Sequence, residues 1–376
     1  MKQTHERLTL EDIAREIHIS RTTIYKVIHH KGNVNETTRN TVMEALRKYN
    51  YIPNNNARNL AMNRRYTIAC ISFRSPNAAY FAPTVEEGIR QAVRDYGDHG
   101  LTVETYLSGA EHPGQQAEDI RQAFDSGIRH FIIACADTEQ LRPVLSRLRE
   151  QDCRIILLSK YAGPESCDTF IGMDNQKSGR LAAEVLGSMI PPDGSIQILV
   201  PRESRSNQES TGRRLEGFLA GIGEFCPSVR VLPLLEDLDE SCGIEKALSE
   251  ALNCRKPDGI YDLTCRLDVI SRTLQKTAME GTALVGMDLF PEIIPFIRNR
   301  TINAVIFQNL KAQAYLACRL LFEQMCYGKE ILQKAYYSKL EIVMSGNLDY
   351  FLDEPLLPSS QNATALAAAT FRESTP

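Results

Sequence analysis

At the start of the chain the apolar residues recur at helical spacing. Leu10, Ile13, Ala14 and Ile17 fall on one face, with Thr9 placed as a cap and Asp12 at the third helical position. His18-Ile19 leaves room only for a tight turn, and Ser20 is placed to cap a second helix. There Ile24, Val27 and Ile28 face one way, and Arg21, Thr22, Tyr25, Lys26 and His29 face the other. A third helix follows Asn35, with Val42, Ala45, Leu46 and Tyr49 as its apolar stripe. Two short helices joined by so brief a turn predict an all-α helix-turn-helix head. The pattern then breaks. Asn54-Asn55-Asn56-Ala57-Arg58-Asn59-Leu60-Ala61 follows Pro53 and is too Asn-rich and too short to hold a helix alone. It reads either as a plain linker or as a hinge helix that orders on DNA, with Leu60 wedged between base steps of the minor groove.

From Tyr66 onward β-rich runs alternate with amphipathic helices. The expected strands are 66–72, 101–107, 128–136, 154–159, 195–201, 229–235, 259–264, 282–288 and 303–308; helical stretches include 85–96, 115–124, 179–189 and 211–225. This alternation predicts doubly wound parallel sheets, and the number of units exceeds one open sheet, so two lobes are expected. In such folds ligands bind beyond the carboxyl ends of strands. Asp137, Asp174, Asp288 and Gln308 fall at such ends, Tyr80 and Phe81 lie just past the first strand, and Arg214 is on the helix after 195–201. Carboxylates, an amide and a guanidinium suit the hydroxyls of a small polar metabolite, and aromatic rings suit the apolar face of a sugar. For each single Asp, helix capping is the competing reading.

Charge divides unevenly. Residues 1–65 hold 12 Lys and Arg against 6 Asp and Glu, leaving 31 against 41 for the rest. A basic head on an acidic body points to a polyanionic partner for the head, double-stranded DNA. At 376 residues the chain needs more than one core. No apolar run reaches the roughly 20 residues of a membrane span, and no signal-peptide core follows Met1, so a cytoplasmic protein without membrane contact is expected. The ten cysteines are scattered without a Cys-x-x-Cys pair and read as reduced core residues, not as metal ligands. An enzyme on an α/β fold, nucleotide- or sugar-dependent, is the alternative. Neither a Walker-type glycine loop precedes Lys177-Ser178 nor does a Gly-x-Gly-x-x-Gly follow a strand. No catalytic residue, cofactor or metal is therefore expected. A secreted sugar-binding module would leave the basic head without a role.

Four head motifs carry a resemblance: Leu8-Thr9-Leu10-Glu11-Asp12-Ile13-Ala14, Ser20-Arg21-Thr22-Thr23-Ile24, Val34-Asn35-Glu36-Thr37-Thr38-Arg39, and Tyr51-Ile52-Pro53-Asn54 with Ala57-Arg58-Asn59-Leu60. In this order they resemble the lactose/galactose-repressor (LacI/GalR) family. The resemblance implies that Arg21, Thr22 and Lys26 read bases in the major groove, that Leu60 is a minor-groove lever, and that Ser20, Tyr25, His29, Asn35, Ala57 and Arg58 complete the DNA-contacting set. The body resembles the family's effector domain, which shares the periplasmic sugar-binding fold. Gly212-Arg213-Arg214-Leu215-Glu216-Gly217-Phe218 looks like its effector-arginine motif and Val285-Gly286-Met287-Asp288 like its strand ending in an effector-binding aspartate. Matched this way, Arg214, Asp288, Gln308 and Asp137 contact the ligand. Several positions depart from the pattern: Tyr25, Asn35, Thr264-Cys265, Leu238 and Met287. The implied organisation is a DNA-binding domain at 1–52, a hinge at 53–65, a two-lobed body at 66–355 and a disordered tail at 356–376. Chain crossovers between lobes are expected near Met173, Gln308 and Tyr336. The implied function is a dimeric, ligand-responsive repressor of a palindromic operator, sensing a small molecule of carbohydrate type.

Overall fold

The computed structural model describes residues 10–28, 32, 34–49, 64–75, 78–109, 112–202, 205–238, 241–352 and 371–373. The chain divides into two compact units, Met1–Met62 and Asn63–Pro376.

In the first unit, α1 (Leu10–Glu16), α2 (Arg21–Ile28) and α3 (Glu36–Lys48) enclose Ile13, Ile24, Val27, Val42 and Ala45, with Ile17, Leu46 and Tyr49 packed around them. His18 takes a left-handed φ of 53°, which reverses the chain between α1 and α2 within the expected tight turn. Ser20 Oγ accepts the Thr23 N–H at 3.1 Å, and Asn35 Oδ1 accepts the Thr38 N–H at 2.7 Å, so each caps the helix it precedes. The Tyr49 hydroxyl donates to Glu16, tying α3 back to α1.

The second unit is two doubly wound lobes. The first lobe's sheet runs β14-β12-β5-β4-β3-β1-β2, formed by β1 (Tyr66–Arg74), β2 (Leu101–Gly109), β3 (His130–Ala134), β4 (Arg154–Leu158), β5 (Thr169–Gly172), β12 (Ala335–Ser338) and β14 (Phe371–Glu373). Among the described residues of this sheet, only the edge pair β12–β14 is antiparallel. The second lobe's sheet runs β13-β11-β10-β9-β6-β7, from β6 (Ser195–Pro201), β7 (Arg230–Val231), β9 (Gly259–Asp262), β10 (Ala283–Met287), β11 (Ala304–Phe307) and the antiparallel β13 (Glu341–Val343), with β8 (Leu235–Leu238) also on β6. Alternate residues of one strand feed two cores. Ile68 and Cys70 pack under α4 (Phe81–Tyr96) and α12 (Leu310–Tyr327), whereas Ala69 and Ile71 pack under α5 (Pro113–Asp125) and α6 (Thr138–Glu150). Both faces are thus apolar, which is why these strands read as continuous apolar runs. The second lobe repeats the scheme. α7 (Asn175–Gly187) and α8 (Arg205–Phe225) cover one face, and α9 (Ser241–Cys254), α10 (Leu267–Lys276) and the short α11 (Ile294–Arg298) cover the other.

Three details differ from the sequence reading. The expected strand 229–235 is two strands, because Pro233 between them has no N–H to give the ladder. The third crossover, expected near Tyr336, follows Ser338, since β12 hydrogen-bonds into the first lobe on β5. Of the tail expected to be disordered from residue 356, only Phe371–Glu373 is among the described residues; it forms β14, which pairs with the open edge of β12.

Candidate functional site

On α2, Ile24 and Val27 are buried, while Arg21, Thr22 and Lys26 are exposed on the opposite side. Ser20 and Asn35 are exposed too, but each has a side-chain oxygen committed to a helix cap. The described face is therefore a short helix presenting a guanidinium, a hydroxyl and an ammonium, donors that suit guanine edges and phosphates. His29, Ala57, Arg58 and Leu60, and the side chain of Tyr25, lie outside the described residues.

In the body, three of the expected residues meet where the lobes face each other. Tyr80, just before α4 of the first lobe, donates its hydroxyl to Asp288 Oδ2 in the second at 2.8 Å. Gln308 Nε2 donates to the same oxygen at 3.1 Å. The Tyr80 ring lies flat on Phe290, centroids 4.6 Å apart and planes 2° apart. Asp288 follows β10 with φ 62°, a left-handed conformation that Asp tolerates and that turns the chain sharply at the strand end. Burial raises its carboxyl pKa, against hydrogen bonds from Tyr80 and Gln308 and the positive charge of Arg214. Its Oδ1 is buried and accepts no hydrogen bond among the described residues.

Arg214 joins this group through its field. It is 8 % exposed, with Nη2 3.1 Å from Thr211 Oγ1, and its charge acts on Asp262, Cys265 and Asp288. It is brought there by close contact between α7 and α8. A Cβ on Gly179 would come within 1.9 Å of the Arg214 carbonyl oxygen, so glycine is what allows α8 to lie so close.

The remaining expected residues go elsewhere. Asp137 caps α6, accepting from the Glu139 and Gln140 N–H groups at 3.0 and 3.1 Å. Asp174 caps α7 through the Lys177 N–H at 3.0 Å and lines a separate cavity of about 380 Å³ with Lys160, Tyr161, Arg213 and Tyr337. Phe81 belongs to the first lobe's core, stacked on Phe73 at 5.2 Å.

Three residues near Asp288 escaped the sequence reading. Asp262 is fully buried at the end of β9. It carries the same signal as Asp288, a carboxylate closing a strand, but the expected strand end at Thr264 placed it inside. Cys265 stands where the resemblance expects a polar ligand contact; its thiol neighbours the Tyr80 hydroxyl, and burial pushes it up to about 11. Phe290, three residues past β10, has no pattern of its own in the sequence.

A helical DNA-binding type of head, joined to a two-lobed α/β body with a polar cluster between its lobes, defines a DNA-binding regulator built on a small-molecule-binding fold. Residues 9–54 match the model described as bacterial regulatory proteins, lacI family, and residues 68–330 match the periplasmic binding protein domain. The chain belongs to the lacI family of regulators, with a periplasmic-binding-protein domain as its body. It is 22 % identical to a Bacillus subtilis protein named "Probable HTH-type transcriptional repressor ExuR" over 57 % of this chain and 60 % of that one, so the match spans under two thirds of that repressor. It is 28 % identical to the HTH-type transcriptional repressor PurR of Vibrio cholerae over 74 % of this chain and 81 % of that one. Among solved structures, an ABC transporter solute-binding protein from Agrobacterium vitis with bound α-D-tagatopyranose shares the fold at a TM-score of 0.66 and 18 % identity, covering 82 % of this chain and 100 % of that one. Among the described residues, no helix is long and apolar enough to cross a membrane.

Proposed function

We propose that this protein is a ligand-responsive transcriptional repressor. It binds a palindromic operator as a homodimer, through Arg21, Thr22 and Lys26 in the major groove and Leu60 in the minor groove. The cleft between its lobes senses a small polar metabolite, a carbohydrate. It works without catalysis, in the compartment that holds the chromosome. The observation that carries the sensing half is Asp288 Oδ1, a buried carboxylate oxygen that accepts no hydrogen bond among the described residues, beside the charge of Arg214. A buried acceptor left unmade costs about 1–3 kcal/mol, which a hydroxyl donor from a ligand recovers. The relatives named above support the DNA-binding half, because they are named as transcriptional repressors.

A thermal-shift screen against sugars, sugar acids, sugar phosphates and purines tests the sensing half. A binder at 100 times its Kd stabilises the protein by about 2.7 kcal/mol, a rise of roughly 4 °C in Tm for a body of this size. Asp288→Ala abolishes that rise; a full shift in this variant places the site elsewhere. Leu60→Ala weakens operator binding in a gel-shift titration, and unchanged binding removes the minor-groove lever from the mechanism.

A further inference from the structure

Gln313 lies in the first turn of α12 and is 1 % exposed. A buried amide at a position between two alanines is costly unless it is paired. Its Nε2 donates to the Gln308 backbone carbonyl at 3.0 Å, to Gln308 Oε1 at 3.2 Å and to Ser338 Oγ at 3.2 Å. Two N–H groups suffice for this: one is shared by the two Gln308 oxygens and the other goes to Ser338, while the amide oxygen accepts no hydrogen bond among the described residues. The partners lead onward. Gln308 Nε2 donates to Asp288 Oδ2, and the Ser338 hydroxyl donates to the Gly172 carbonyl at 3.2 Å.

These partners mark the three places where the chain passes between lobes. Gly172 ends β5, before the first crossover. Gln308 follows β11, at the second. Ser338 ends β12, before the third. One side chain thus joins the second and third crossovers directly and the first through Ser338, and through Gln308 it joins them to Asp288.

We propose that Gln313 is a positioning residue that couples the Asp288 pocket to the three crossovers. This rests on the reading of Asp288 as the effector-binding carboxylate. A donor arriving at Oδ1 draws negative charge away from Oδ2, loosening the Gln308 amide. Because linked hydrogen bonds in a buried network polarise one another, the change passes through Gln313 to Ser338 and Gly172. Lobes that rotate about these crossovers then settle at a different angle.

Hydrogen exchange on the full-length protein tests this without any effector. In the wild-type background, Asp288→Asn speeds amide exchange about three- to tenfold in peptides covering 172–175 and 338–341, the scale of one weakened buried hydrogen bond. Gln313→Met fills similar volume without donors; in that background Asp288→Asn leaves exchange at both segments unchanged. A purely structural Gln313 would speed exchange but keep its dependence on residue 288. Should Gln313→Met not fold, Ser338→Ala cuts the chain one link further on, and the dependence then persists at the second crossover but vanishes at the first and third. The proposal is overturned if Asp288→Asn changes nothing at 172–175 and 338–341, or acts equally in both backgrounds. A failed ligand screen would sink the sensing role of Asp288 and leave the exchange result standing.

Discussion

Asp262 and Asp288 are both buried carboxyls at the carboxyl ends of β-strands of the second lobe, yet they are satisfied differently. Asp262 accepts the Thr264 N–H at 2.7 Å, the Thr264 hydroxyl at 2.6 Å and the Arg266 N–H at 3.1 Å, so both its oxygens are spent on holding the turn after β9. Asp288 keeps one oxygen that accepts no hydrogen bond among the described residues. The first is a structural brace; the second is the group proposed above to take a ligand's donor. Burial pushes Asp262 up to about 6 from its ordinary 3.8, outweighing its hydrogen bonds and the charge of Arg214. The folded state therefore holds this proton more tightly than the unfolded chain. The resulting stabilisation is complete below about pH 4 and is lost as the pH rises to about 6. Relative to Asp262→Asn, the wild type loses on the order of 3 kcal/mol across that window, checked by urea denaturation at stepped pH. A difference that stays flat with pH would mean that the carboxyl is already ionised at pH 4. Tyr80→Phe tests the other carboxyl. It keeps the stack on Phe290 but removes one of two donors to Asp288 Oδ2, costing about 1–2 kcal/mol in the same assay.

At the scale of elements, the contact between α7 and α8 depends on glycine. A Cβ on Gly217 would meet the Gln176 carbonyl oxygen at 2.0 Å, much as one on Gly179 would meet that of Arg214. Gly179→Ala must push the two helices apart and carry Arg214 with them. The expected loss is about 1–3 kcal/mol of stability together with the ligand-induced thermal shift. Gly223→Ala, on the same α8 with nothing within 4 Å of the added atom, is the control; it should be neutral or stabilising by up to about 1 kcal/mol. The patterning of the chain made the long elements legible and the connecting ones not. Ile68 to Ile71 and Ile155 to Leu158 are apolar on both faces, and such a run announces a covered parallel strand. Ala335-Tyr336-Tyr337-Ser338 has no such run. It becomes a strand because β5 offers an edge, a fact of tertiary structure. The same limit applied to the cleft. Strand ends pointed to Asp288 and Gln308, but only folding showed that Tyr80 crosses to them while Asp137 turns back to cap its own helix.

At the scale of the whole molecule, the two units differ in sign. The excess of Lys and Arg in residues 1–65 and of Asp and Glu in the rest means that attraction to a duplex is concentrated in the head. Attraction of that kind is blind to sequence and falls steeply with salt, because each phosphate neutralised releases counterion. Discrimination must come from groups that reach base edges, and Arg21, Thr22 and Lys26 are the exposed donors among the described side chains of α2. The two contributions separate in one experiment on the full chain, with operator and random duplexes titrated by fluorescence anisotropy between about 50 and 200 mM salt, a range in which phosphate contacts are strongly weakened. Arg21→Ala should lower the ratio of operator to random affinity about ten- to a hundredfold, the scale of a lost bidentate base contact, while the random duplex keeps most of its affinity. If both affinities fell by the same factor, Arg21 would be a phosphate contact, and the reading face of the head would have to be sought on another helix.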